Sequence, residues 1–324
     1  MSFKKYPSIE NSYRQREIDM WLKYYPELAN EKFVATCKLD GCNLNIWFYP
    51  NGEIKIGKKT TFIGYINQDV FFQGVNVSQL LKSNNAYLQM LNYFSKLSSD
   101  FGNVYTLYGE LFGKGIQKRV NYGDGKYFRA FDLMIDEKIV SFKEFRNHFE
   151  SIGDIPKADI YDLMTPKVGF FHSLEEALAF NVIFKSLLTP EGYDKDNFEE
   201  GVVIKPYNKV YTSPQGSIFY LKKKNPNFAD KEGTSEKEKR SVDEGLKGLN
   251  KEFRSYINEN RVLDVFSKYG TISQMSQIGD YIRYVIEDAK EDFLKDNAFT
   301  GDKSTEKIVY NCGSLILDIL KKYL

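Results

Sequence analysis

The chain reads as an α+β protein: a mixed region of antiparallel strands with flanking helices, followed by a small all-helical tail. Three observations predict this. Apolar residues alternate with period two at several places in the first two thirds, a polar charged stretch interrupts the chain near residue 240, and apolar residues recur every three or four positions after it. The 324 residues suit two domains, placed at 1–236 and 237–324.

The strand predictions run in order. Phe33 to Cys37 leads into Lys38-Leu39-Asp40-Gly41. In Asn43 to Tyr49, Leu44, Ile46 and Phe48 share a face. Pro50-Asn51-Gly52 is a hairpin turn, since Asn-Gly accepts the positive φ of tight primed turns, and Glu53 to Thr60 returns from it. Val104 to Phe112, Tyr127 to Ile135, Gly201 to Lys205 and Ile218 to Lys222 complete the set. Helical spacing covers Val77 to Leu97 and Leu174 to Leu188. Lys231 to Asp243 reads as a linker or exposed loop. Beyond it, Leu246, Leu249, Phe253 and Ile257 begin a helical pattern that resumes over Ile278 to Phe293 and Ile308 to Leu324.

Composition removes several classes of function. Hydrophobic residues make up 42% and charged residues 27%, as in a folded soluble protein. No apolar run reaches the roughly 20 residues of a membrane span, and the first residues lack the apolar core of a secretory signal. An intracellular protein is expected. The cysteines, Cys37, Cys42 and Cys312, are too few and too scattered for a disulfide framework or a paired zinc site. Lys+Arg 45 against Asp+Glu 44 gives a net charge of +1, so any basic surface is local.

Five stretches carry chemistry. Lys38, followed by Asp40 and Gly41 at the end of a strand, suits attack on phosphorus once its amine is neutral. The competing reading is a solvated surface turn. In Ser217 to Lys224, alternation puts Lys222 and Lys224 on one face and Lys223 on the other. That pair either grips a polyphosphate or protects a basic sheet edge. Glu200 opens an apolar strand and suits a hard metal ion, or lies with Glu199 in a solvated loop. Strict alternation sets Glu200 and Lys205 on opposite faces, so a shared site requires the strand to bend. Glu110, inside an apolar strand, needs a partner such as a ribose hydroxyl. Phe131 is suited to stack on a base or to fill the core.

Taken together and in their order along the chain, these stretches resemble the covalent nucleotidyltransferases, the ATP-dependent polynucleotide ligases and capping enzymes. The RNA ligase 2 family is the closer likeness, carried by Phe3 to Asn11, by Gly109-Glu-Leu-Phe-Gly-Lys-Gly-Ile-Gln-Lys118, by Val120 to Gly123 and by Lys222 to Asn225. The resemblance covers roughly residues 1–230 in motif order. It implies an adenylylation domain with a helical C-terminal domain, and ATP-dependent sealing of 3′-hydroxyl and 5′-phosphate RNA ends, as in nicked duplex RNA. ATP is the AMP donor, Mg²⁺ or Mn²⁺ the metal, and a monomer without membrane contact the expected form. Lys38 then becomes the lysine that carries AMP. Cys37, Leu39, Asn43, Lys59, Glu110, Phe131, Lys205, Lys222 and Lys224 line the nucleotide, and Glu200 holds the metal. Two positions depart from the family: Asp40 stands where histidine is frequent, and Lys59 stands where arginine is usual. Asp40 is the residue commoner in DNA ligases and capping enzymes, which keeps DNA ligation and cap guanylylation as alternatives. A basic, aromatic RNA-binding protein without catalysis is the third reading.

Overall fold

The computed structural model describes residues 3–193, 195–229, 245–297 and 312–324. These form two compact units, Met1–Pro226 and Asn227–Leu324. The linker expected over Lys231 to Asp243 and the start of the helix expected from Ile308 lie outside the described residues.

In the first unit the strands run in chain order β1 (Glu10–Asn11), β2 (Phe33–Cys37), β3 (Cys42–Phe48), β4 (Ile54–Lys58), β5 (Phe62–Tyr65), β6 (Phe71–Phe72), β7 (Val75–Asn76), β8 (Tyr105–Gly113), β9 (Lys126–Ile135), β10 (Lys138–Ile139), β11 (Lys167–Phe171), β12 (Gly201–Pro206) and β13 (Leu221–Lys224). The helices are α1 (Gln15–Tyr24), α2 (Val77–Ser83), α3 (Asn85–Phe101), α4 (Phe142–Glu150), α5 (Lys157–Asp162) and α6 (Leu174–Ala179). Among the described residues, a six-stranded sheet has the order β10-β9-β8-β3-β4-β5 and a five-stranded sheet the order β1-β13-β12-β2-β11. Pairing is antiparallel except between β1 and β13, where Glu10 meets Leu221 and Asn11 meets Lys222 in parallel.

Leu44, Ile46 and Phe48 share the main core with Met90, Phe94, Phe145 and Phe149 from the covering helices. The opposite face of β3 is also covered, because Trp47 packs with Tyr108 and Met134 under Phe3, Tyr6 and Phe131. The five-stranded sheet packs Phe33, Ala35, Val202, Ile204 and Leu221 against Ile18, Trp21 and Ala177. Its other face carries Thr36, Val203 and Lys222, which are directly opposed across β2, β12 and β13.

Three elements differ from the sequence expectation. The helix expected over Val77 to Leu97 is two helices, because Asn84 leaves the helical region (φ −104°, ψ 128°) and its side chain caps the second by accepting from the amides of Ala86 and Tyr87. The helix expected over Leu174 to Leu188 stops at Ala179. Beyond it, Ser186 donates to the Asn197 carbonyl and Lys185 bridges to Phe198, so this segment spends its backbone groups on a non-local neighbour. The last strand begins at Leu221 rather than Ile218, since Ile218 makes an isolated bridge with Thr212.

The second unit contains α7 (Gly245–Arg254), α8 (Glu259–Tyr269), α9 (Ile278–Asn297) and α10 (Gly313–Leu320). Phe253, Tyr256, Val265, Phe266, Val285, Phe293 and Ile316 form its core. Inside it Arg261 lies 2.7 Å from both Asp288 and Asp292.

Candidate active site

The site lies in the first unit, where β2 ends and the Lys38–Gly41 turn crosses to β3. The Lys38 amide donates to Gly201 O at 2.9 Å, which ties this turn to the start of β12. Gly41 is needed for close approach: a Cβ there would run into Leu111 O and stand 2.8 Å from Glu110 Cγ. Gly201 has φ +150°, and a Cβ there would strike Lys223 O and come within 2.7 Å of Lys224 Cα. This irregular backbone at the first residue of β12 resolves the alternation problem. Glu200 reaches the end of β2 while Lys205, four residues into the strand, stays on the face of Lys222 and Tyr220.

Glu200 and its neighbour are buried, so the solvated-loop reading of Glu199 and Glu200 does not hold. Glu200 Oε1 lies 2.6 Å from Lys38 Nζ, 3.3 Å from Lys224 Nζ and 3.8 Å from Arg119 Nη2. Residues far apart in the chain thus meet at one carboxylate oxygen. Lys38 is partly covered rather than a freely solvated turn lysine. Asp40 is buried and held by Arg119, whose Nε (2.9 Å) and Nη2 (2.6 Å) both reach Oδ1, while the Arg119 amide donates to Oδ2 at 3.2 Å. Burial still pushes the Asp40 carboxyl upward against the opposing pull of Arg119. Glu199 is raised to about 7 by burial. Cys37, behind the turn, is raised by burial and by Glu199, so it is a packed thiol rather than a nucleophile.

Across from this cluster, Asn43 and Glu110 are directly opposed on β3 and β8 and therefore share a face. Burial raises Glu110 to about 8, with Lys38 and Lys59 pulling the other way. Among the described residues the buried Asn43 Oδ1 has no hydrogen-bond partner. A neutral carboxyl beside an unsatisfied amide oxygen suits hydroxyl groups of a ligand.

The third part of the site surrounds Phe131. Tyr108 opposes Asp132 and Gly109 opposes Ala130, so Phe131 is the extra residue of a β-bulge. Lys205 Nζ donates to Phe131 O at 2.7 Å and to Asp132 Oδ2 at 2.8 Å. It stands 5.6 Å from the Phe131 ring centre and 5.1 Å from that of Tyr220. Tyr6 also donates to Asp132 Oδ2 and sets its ring edge-on to Phe131. Lys205 and Asp132 are each 1% exposed or less, and burial drives lysine down and aspartate up against their mutual attraction. Lys223 points away from all of this, donating to Leu178 O and to Phe180 O at the end of α6. Lys222 directly opposes Val203, and Leu39 is buried beside Lys38 in the turn.

The structure adds Arg119, Asp132 and Tyr6 to the residues singled out from sequence. Each lies in or beside a stretch already marked: Arg119 follows Gly109–Lys118, Asp132 follows Phe131 in the strand expected over Tyr127 to Ile135, and Tyr6 sits in Phe3–Asn11.

Lysines and carboxylates thus converge beside Lys38 at the end of β2, an arrangement of charges suited to a class of protein that binds phosphate groups. A model of the family described as RNA ligase matches residues 31–224, and the chain belongs to that family. A second family model, described as T4 RNA ligase 2 C-terminal, matches residues 240–311. Among solved structures, the chain is similar to Naegleria gruberi RNA ligase variants. One with AMP and Mn is 18% identical, with a TM-score of 0.48 and coverage of 70% of this chain and 57% of that one. Another with ATP and Mn is 16% identical, with a TM-score of 0.48 and coverage of 70% and 58%. The chain thus spans less than two thirds of the length of these ligases. Among the described residues no helix is long and apolar enough to cross a membrane.

Proposed function

We propose that the protein is an ATP-dependent RNA ligase that seals 3′-hydroxyl and 5′-phosphate ends, with nicked duplex RNA as its substrate. Lys38 Nζ attacks the α-phosphorus of ATP, the bond to pyrophosphate breaks, and AMP remains on the lysine. The adenylate passes to the RNA 5′-phosphate, and the 3′-hydroxyl then displaces AMP. The observation that carries this reading is the meeting of Lys38 and Lys224 at Glu200 Oε1, in a chain of the RNA ligase family.

The roles follow from placement. Lys222 and Lys224 face the phosphates and offset their charge. Phe131 stacks on the adenine, steadied from behind by Lys205, Asp132 and Tyr6. Lys205 is therefore assigned a supporting role in the nucleotide pocket, because its ammonium is already held by protein oxygens. Glu110 and Asn43 receive the ribose hydroxyls, with Lys59 alongside. Cys37 and Leu39 frame the nucleotide through their backbone. Glu200 would hold Mg²⁺ or Mn²⁺ together with phosphates and water. Such an ion would supply neutralisation of phosphate charge. The helical unit grips the RNA by salt-sensitive contacts.

Asp40 favours a second reading, DNA ligation or cap guanylylation. Incubation with ATP or GTP, followed by intact-mass measurement, separates the two. A mass gain of one AMP on Lys38, lost in Lys38→Ala with the fold preserved, is expected. Label from GTP alone, or no adduct at all, overturns the proposal. Nicked RNA and nicked DNA duplexes then decide the polymer.

A further inference from the structure

Asn11 is 5% exposed, and among the described residues its Nδ2 has no hydrogen-bond acceptor. A buried donor left unpaired is a cost to the folded chain that an acceptor on a ligand would remove. The backbone fixes where Asn11 stands. The Glu10 amide donates to Tyr220 O and the Ser12 amide to Lys222 O, each at 3.0 Å, so Asn11 lies directly beside Lys222 in the parallel ladder of β1 and β13. Opposed residues of neighbouring strands share a face, with the strands about 4.8 Å apart. One row of side chains therefore crosses the sheet from Asn11 through Lys222 and Val203 to Thr36. Thr36, at the far end, is 1% exposed, and its Oγ1 also lacks a partner among the described residues.

This row lies on the face that carries the candidate active site. Two residues from Val203 in one direction is Lys205, which donates to Phe131 O. Two residues in the other is Gly201, whose carbonyl accepts from the Lys38 amide. Under the adenylylation proposed above, on which this inference rests, a nucleotide stacks on Phe131 and presents its α-phosphorus to Lys38, and so passes over the row. Its base then lies over β12, whereas a phosphate drawn to Lys222 comes next to Asn11. The amide Nδ2 is a donor only and uncharged, which suits an anionic oxygen that a lysine already attracts. We propose that Asn11 is a phosphate-binding residue, whose Nδ2 donates to an oxygen of the α-phosphate held by Lys222. The N-terminal segment then serves both ends of the nucleotide, since Tyr6 holds Asp132 and packs edge-on to Phe131.

AMP and adenosine test this role, because they differ only in the phosphate. Their dissociation constants are measured by calorimetry on the full chain, first cleared of any lysine-bound AMP with pyrophosphate and magnesium. Asn11→Ala is expected to weaken AMP by about tenfold, the scale of one hydrogen bond to a charged group, and to leave adenosine unchanged. Asn11→Asp, which keeps the shape and replaces the donor by a carboxylate, is expected to weaken AMP further, again without effect on adenosine. Unliganded Asn11→Ala is expected to melt with the wild-type protein, since the lost Nδ2 bonds to nothing there. A lowered melting temperature with equal weakening of both ligands means a structural role and overturns the inference. Wild-type affinity for AMP in both variants overturns it as well. If the wild-type protein forms no adduct with ATP, the adenylylation reading falls, while the comparison of AMP with adenosine still judges Asn11.

Discussion

Consider replacing Asp132 by asparagine. Its carboxylate is 0% exposed, accepts from Lys205 Nζ at 2.8 Å and also accepts from Tyr6. The substitution keeps shape and removes charge, leaving a buried ammonium with the Phe131 carbonyl and two aromatic rings. Breaking a buried pair from one side costs about 3 kcal/mol. Lys205→Met breaks it from the other side at a similar cost. The double substitution removes both charges, so its cost is expected to be about 1–2 kcal/mol rather than the sum of about 6 kcal/mol. Urea unfolding followed by tryptophan fluorescence reads the right unit, because the chain's two tryptophans, Trp21 and Trp47, both lie in it. Additive costs in the double variant would refute the view that these groups form one desolvated pair. The double variant is also expected to bind ATP more weakly, since the bulge presenting Phe131 loses its anchor.

Other outcomes follow from the same geometry. Lys222→Ala and Lys224→Ala are each expected to cut lysyl-AMP formation by about a hundredfold. Lys223→Ala, which removes two hydrogen bonds to the end of α6, is expected to cost about 1 kcal/mol of stability and little activity. Equal kinetic losses in all three would dismiss the face assignment. Burial raises Glu110 to about 8, so its contribution to stability is present at acid pH and is lost as pH rises through that value. Glu110→Gln is accordingly expected to melt close to wild type near pH 5 and above it near pH 9. A melting difference independent of pH would contradict this.

Much of the fold was legible because it is local. Alternation over Asn43 to Tyr49 and the Asn51-Gly52 turn anticipate a hairpin whose register pairs Ile46 with Ile56, although the turn is not the primed one expected: Gly52 (φ +81°) takes positive φ, Asn51 does not, and the Gly52 amide closes the turn onto Tyr49 O. The buried Trp47 face was not legible: it is covered by Phe3 and Tyr6, which no periodicity within β3 reveals. The helix expected through Leu188 failed for the same reason, since hydrophobic spacing says nothing of the Asn197 backbone that competes for Ser186. In the site, the split of Lys222 and Lys224 from Lys223 followed from strand geometry, and the structure places Lys223 on the α6 side. Pairings of Lys205 with Asp132 and of Arg119 with Asp40 span 73 and 79 residues, and charge type alone does not choose among that many partners.

The parallel contact between Glu10–Asn11 and Leu221–Lys222 sets an order of events during synthesis. The earlier segment must wait for one made some two hundred residues later before its sheet can close. At ordinary elongation rates of about 5–20 residues per second, that wait lasts on the order of ten seconds or more. The part of the sheet that carries Lys222 and Lys224 is thus completed late, and a ribosome-bound chain halted before Leu221 is expected to lack it altogether.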